Sequence, residues 1–135
     1  MIRLLNNDDF KTLVPLYVKM FEEIFPDMSS YHAVESLMES IRFKECVRII
    51  GAERDGELVG FAVGNQINDD VYYFSALYLA VKNTSLTQEL IEYALNIAKN
   101  MGYSKWVVDT RNSNIESIMK KYDGQQVFVR LEGAL

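Results

Sequence analysis

The run Val71 to Val81, V-Y-Y-F-S-A-L-Y-L-A-V, is the longest nearly continuous apolar stretch of the chain and constrains the fold more than any other feature. It is well short of the roughly 20 residues that cross a bilayer, so protein has to bury it. Aromatic and β-branched residues dominate it and both faces are apolar, which predicts a strand in the centre of a sheet, covered on each side. Behind it Leu86, Leu90, Ile91, Ala94, Ile97, Ala98 and Met101 recur at helical spacing. Ser85 and Gln88 have the spacing of a capping box, and Gly102 suits the C-cap. Trp106 to Asp109 then reads as a short strand. This order predicts two neighbouring strands with a helix packed across both. Where such strands part at their carboxyl ends, the helix N-terminus faces a crevice that can take a ligand.

The rest of the chain supplies the other layers. Ile2 to Leu5 reads as a short strand, and Asn7, Asp8 and Asp9 offer caps for a following helix. Phe10, Leu13, Val14, Tyr17, Phe21 and Ile24 form one helical stripe, interrupted by Pro15 and ended by Pro26. A second stripe, Val34, Leu37, Met38 and Ile41, predicts a helix to about Phe43. Asp55-Gly56 between two apolar runs predicts an antiparallel hairpin over residues 46–64, because both central residues of such a turn need positive φ. A short helix from Asn112 to Tyr122 and a last strand from Gln126 to Leu131 complete the order β-α-α-β-β-β-α-β-α-β. The fold class is therefore α/β (α+β), one domain over residues 1–135, with a mixed, twisted sheet of six or so strands flanked by helices.

Charge and composition exclude several functions. The chain carries 14 Lys and Arg against 19 Asp and Glu, net −5, with the basic residues scattered, so no patch favours a phosphate backbone and no nucleic-acid partner is expected. One histidine and one cysteine cannot supply a usual zinc site, and Cys46 cannot close an internal disulfide. The N-terminus turns polar by Asn6, leaving no signal-peptide core, and no membrane span is expected. The expectation is a cytoplasmic protein.

Several segments carry a family likeness: Leu77-Tyr78-Leu79-Ala80 on the long strand, Leu90-Ile91-Glu92-Tyr93-Ala94 in the helix, Ala98 to Tyr103 at its end, and Asn112-Ser113-Asn114 after the next strand. With the order of elements, they resemble the GNAT superfamily of N-acetyltransferases, most specifically over residues 71–124. The resemblance implies the acyl-CoA N-acyltransferase fold and transfer of an acetyl group from acetyl-CoA to an amine. It also implies that the parted strands hold pantetheine and that the loop before the long helix holds the pyrophosphate.

That loop departs from the family pattern. An Arg or Gln followed by glycines is expected there, since close backbone approach to pyrophosphate tolerates no Cβ. Val81-Lys82-Asn83-Thr84-Ser85-Leu86-Thr87-Gln88 contains no glycine. The resemblance leaves Leu79, Ala80, Val81, Lys82, Thr84, Ser85 and Thr87 as cofactor-binding candidates, joined by Asn112 and Asn114; equally, Thr84 or Ser85 simply caps the helix. Side chains at Thr84, Ser85 and Leu86 are expected to weaken binding. Amine acetylation needs a base and an acid. The family acid position falls at Met119 or Lys120, with Tyr122 the nearest phenol, and Asp69 and Asp70 are the carboxylates nearest the long strand; Tyr122 and Asp70 are the catalytic candidates. His32 reads as a surface or capping residue, Cys46 as a small core residue, and Tyr72, Tyr73, Phe74 and Tyr78 as sheet packing. The alternative to an enzyme is a catalytically inactive domain of the same fold that binds a protein partner or a second copy, for example a virion-associated structural protein of a phage.

Overall fold

The structure, a computed structural model, describes residues 1–40, 47–66, 68–108 and 113–121. Its elements in chain order are β1 (Ile2–Leu4), α1 (Phe10–Ile24), α2 (Ser30–Ser40), β2 (Arg48–Arg54), β3 (Glu57–Gln66), β4 (Val71–Leu79), α3 (Thr84–Asn100), β5 (Lys105–Val108) and α4 (Ser113–Lys120). The five strands form one sheet in the order β1-β2-β3-β4-β5, antiparallel except for the parallel pair β4 and β5. The expected strand over 126–131, the end of the second helix at Phe43, and Cys46 lie outside the described residues.

The hairpin forms as its turn dictates. Asp55 and Gly56 have φ of 54° and 80°, and Arg54 pairs with Glu57. This is the two-residue loop whose twist matches that of the flanking strands. β1 closes the far edge, where Arg3 binds Glu53 at 2.7 Å and both oxygens of Asp9 at 2.7 and 2.9 Å. Asp9 also completes a capping box with Asn6 around the 3-10 turn Asn7–Asp9: the Asn6 side chain accepts from the Asp8 amide while Asp9 accepts from the Asn6 amide, and Asp9 then stands at the N-cap position of α1 without a side-chain cap bond to that helix. α1 continues through Pro15 as one helix.

Helices cover both faces of the sheet. On one face Leu13, Leu16, Tyr17, Met20 and Phe21 of α1, with Ala33 and Leu37 of α2, pack on Phe61 and Val63. On the other, Leu86, Leu90, Ile91, Ala94 and Ala98 of α3 and Ile115, Ile118 and Met119 of α4 pack on Ile50, Ala52, Ala62, Tyr72 and Phe74. Each fully buried Leu or Ile contributes about 1.5–3 kcal/mol of burial free energy, so α3, with Leu86, Leu90 and Ile91 buried, is the main anchor of its layer. It stops where the sequence requires: Gly102 has φ of 95°, its amide donates to Lys99, and the Tyr103 amide reaches back to Ala98, which is a Schellman closure.

Candidate functional site

β4 is not a regular strand. Val63 pairs with Ala76 while Gly64 pairs with Phe74, so Ser75 is an extra residue, a β-bulge. The bulge reverses the alternation of side chains: Tyr72 and Phe74 face α3 before it, Leu77 and Leu79 face α3 after it, and Ala76, Tyr78 and Ala80 face α1. Ser75 is exposed; its hydroxyl accepts from the Asn65 amide at 3.2 Å and contacts the Val63 carbonyl at 3.4 Å. Pairing with β5 runs from Val71 opposite Lys105 to Phe74 opposite Val108, the last described residue of β5. Among the described residues nothing pairs with the β5-side edge of β4 from Ser75 to Leu79.

The segment from Leu79 to Ser85 leads from the end of β4 into α3. Ala80 donates to the Val59 carbonyl at 2.7 Å, which ties the end of β4 to β3. Leu79 and Val81 are half-buried against the α3 layer, and Lys82 is exposed. Asn83 is the N-cap of α3: its side chain accepts from the Leu86 amide at 3.0 Å, and its carbonyl accepts both the Thr87 amide at 3.0 Å and the Thr87 hydroxyl at 2.9 Å. The expected Ser85–Gln88 box is therefore displaced by a cap two residues earlier, and neither Thr84 nor Ser85 serves as the cap. The reason is competition: a short Asn side chain ahead of the first turn reaches the third-residue amide more directly than Ser85 can from within the helix.

These bonds divide the phosphate-binding candidates. Thr87 is 5% exposed and its hydroxyl is engaged by Asn83, so it faces the protein interior. Leu86 is also buried, and its side chain lies in the core rather than over the helix end. Thr84 and Ser85 are exposed, and among the described residues their amides have no acceptor. An anion at this end would meet two backbone donors, two hydroxyls and the Lys82 ammonium.

The catalytic candidates are placed less evenly. Asp70 precedes β4 at the end opposite Leu79, and its carbonyl accepts the amides of Ser104 and Lys105, both at 3.0 Å. Nine residues of strand, roughly 30 Å, separate it from the crevice, so the structure does not bring Asp70 to the other candidates. Asn114 lies in the first turn of α4, whereas Asn112 and Tyr122 lie outside the described residues. Met119 is buried in the α3 layer and Lys120 is exposed. His32 is exposed and bonds to the Ser29 hydroxyl at 2.8 Å in the turn that opens α2. Among the described residues no three His, Cys, Asp or Glu side chains could hold a metal ion, and no helix is long and apolar enough to cross a membrane.

One pair of titratable groups was not anticipated. The Tyr78 hydroxyl donates to Glu23 Oε1 at 2.9 Å, joining the carboxyl half of β4 to the last turn of α1. Burial, followed by the neighbouring carboxylate, raises the phenol well above the usual tyrosine range. Tyr78 read as sheet packing, and its ring does pack on Phe61 at 5.9 Å. No local signal points to Glu23, which lies 55 residues away.

Comparison with known proteins accords with this geometry. The sequence profile of the acetyltransferase (GNAT) family matches residues 10–119. A crystal structure of a probable acetyltransferase superposes with a TM-score of 0.77 at 17% identity, covering 100% of this chain and 97% of that one. A predicted acetyltransferase from Clostridium acetobutylicum, solved with acetyl-CoA, gives 0.77 at 16% identity over 99% and 95% of the two chains. The ribosomal-protein-alanine N-acetyltransferase of Brucella melitensis biovar Abortus 2308 gives 0.74 at 17% identity over 100% and 98%. No curated protein sequence matches the chain.

Proposed function

Because the chain belongs to the acetyltransferase (GNAT) family, we propose that it transfers an acetyl group from acetyl-CoA to an amine. The observation that carries this reading is the start of α3 directly after β4, where Lys82, Thr84 and Ser85 are exposed and two amides are on offer. The backbone of β4 from Ser75 to Leu79, which pairs with nothing on its β5 side among the described residues, offers donors and acceptors to the pantetheine amides. Lys82, with the amides and hydroxyls of Thr84 and Ser85, holds the pyrophosphate. Leu79, Ala80 and Val81 form the wall between them, and Asn112 and Asn114 stay cofactor-binding candidates. When bound, acetyl-CoA supplies an activated acyl group and a thiolate leaving group.

The chain's own groups then have to move two protons. The amine nitrogen loses one as it bonds to the acyl carbon, and the departing sulfur gains one as the carbon–sulfur bond breaks. We assign Tyr122 to the sulfur side and Glu23, held by Tyr78, to the amine side in place of Asp70. No observation favours the inactive-module alternative.

Thermal denaturation with and without acetyl-CoA tests the reading. Ligand at tenfold excess over its dissociation constant stabilises by about 1.4 kcal/mol. With an unfolding entropy of about 0.28 kcal/mol/K for a domain of this length, that is about 5 °C in Tm. Such a rise at millimolar acetyl-CoA, lost in Lys82→Ala, is expected. No rise at that concentration, together with no release of free thiol from any amine acceptor, overturns the proposal.

A further inference from the structure

Most of the exposed large apolar side chains lie in one region. Ile24, Phe25, Met28, Tyr31 and Met38 are 42 to 72% exposed, and all belong to the end of α1, the turn after it, or α2. The turn is ordered, with the Met28 amide donating to the Phe25 carbonyl at 3.0 Å, so Phe25 and Met28 are held close together. α2 buries Ala33 and Leu37 against α1, which leaves Tyr31 and Met38, seven residues apart, on one outward stripe with Glu35 between them. Scattered exposed apolar residues mean little, but five of them concentrated in one segment of 15 residues point to an interaction surface.

The charge of the same segment identifies what covers it. Residues 20–40 hold Glu22, Glu23, Asp27, Glu35 and Glu39 and no Lys or Arg; the nearest basic residues in sequence are Lys19 and Arg42. All five carboxylates are on exposed residues. The remainder of the chain has 14 acidic residues against 14 basic, so this one segment accounts for the whole net charge of −5. A second copy docked here would set five carboxylates against five. An anionic bilayer or a nucleic acid would be repelled for the same reason.

We propose that the α1–α2 surface docks a cationic amphipathic segment of another protein, its apolar side chains on Phe25, Met28 and Tyr31 and its Lys or Arg residues paired with the surrounding carboxylates. This surface adjoins the proposed acetyl-transfer site, because Glu23 is one of its five carboxylates, but Asp27, Glu35 and Glu39 have no part in that reaction, so the two readings fail separately.

The test is fluorescence anisotropy with a dye-labelled helical peptide built from Lys, Leu and Trp, the full chain being titrated at low and at physiological salt. Two matched peptides serve as controls, one with Glu for Lys and one with Ser for Leu and Trp. Expected results are binding of the first peptide only and an affinity that falls with salt. The doubly substituted Met28→Ser, Tyr31→Ser protein should bind at least tenfold more weakly, as should the triple variant Asp27→Asn, Glu35→Gln, Glu39→Gln. These positions are exposed, and unchanged thermal melts establish that each variant is folded. Absence of binding, equal binding of the Glu peptide, or unchanged affinity in folded variants overturns the proposal. So does a dimer in sedimentation that the Met28→Ser, Tyr31→Ser protein abolishes, because the occupant is then a second copy.

Discussion

Substituting Gly60 by Ala should damage both stability and the crevice. Gly60 lies on β3 opposite Leu79, the last residue of β4. A Cβ added there would stand 2.2 Å from Leu79 Cδ1, 2.8 Å from the Tyr78 carbonyl oxygen and 3.3 Å from Leu79 Cα. The methyl of Leu79 can rotate away, but the carbonyl and the Cα belong to the backbone and move only if β4 moves. That displacement opposes the 2.7 Å bond from Ala80 to Val59, one residue from the substitution. Overpacking of this kind costs about 1–3 kcal/mol, and the backbone contact places Gly60→Ala in the upper half of that range, about 2–3 kcal/mol. With about 0.28 kcal/mol/K of unfolding entropy, Tm should fall by about 7–11 °C.

Urea denaturation and thermal circular dichroism measure the loss, and a double-mutant cycle with Leu79→Ala separates its parts. If the leucine methyl were the whole obstruction, Gly60→Ala would be neutral in the Leu79→Ala background. The backbone argument requires at least about 1 kcal/mol to persist there. A drop of less than about 1 °C in the single variant, or complete rescue by Leu79→Ala, refutes the reasoning. The acetyl-CoA response should fall with stability, since the displaced segment is the wall of the proposed site.

Two further outcomes are expected. Asn83→Ala removes the acceptor for the Leu86 amide and should cost about 1 kcal/mol, or about 4 °C in Tm, while Asn83→Asp keeps the cap and should match the parent within about 0.5 kcal/mol; equal melts for the parent and Asn83→Ala would show that another group caps α3. The Asp9 carboxyl is held at about 2, first by the Arg3 guanidinium and then by the Asn6 amide, below its unfolded value of about 3.9. Its contribution to stability is therefore complete above about pH 4 and lost as pH falls through about 2. The gap between parent and Asp9→Asn in urea melts should close over that interval, and a gap independent of pH would remove the ion pair as its cause.

Elements with a clear period were readable from the chain. The stripes of α1 and α3, the Asp55-Gly56 turn and the Gly102 stop each follow from a local requirement that few other conformations satisfy. The adjacency of β4 and β5 followed from their shared crossover helix. The bulge at Ser75 had no such signal. A slip of one residue normally turns apolar side chains outward and so betrays itself, but β4 is apolar on both faces and a shift of phase leaves its pattern unchanged. The property that made this strand recognisable as central therefore hid the irregularity at its middle.

The carboxylate was missed for a related reason, which is distance along a strand against distance across a layer. Asp70 is one residue from β4 in sequence, yet an extended chain advances about 3.3 Å per residue, so it ends roughly 30 Å from the crevice. Glu23 is 55 residues from Tyr78 and lies 2.9 Å from its hydroxyl. It is brought there by Leu13, Leu16, Tyr17, Met20 and Phe21, whose burial fixes how α1 lies on the sheet, and by the bulge, which turns Tyr78 toward α1 instead of α3. A regular β4 would have kept every second residue from Tyr72 onward on one face, placing Tyr78 beside Tyr72 and Phe74 on the α3 side. The phenol–carboxylate pair thus depends on the phase set by one inserted residue, and deleting Ser75 should remove the bulge yet keep the pair, because Ala76 then follows Phe74 in regular alternation and Tyr78 still faces α1; loss of the Tyr78–Glu23 bond in a folded deletion variant would refute this account of the register.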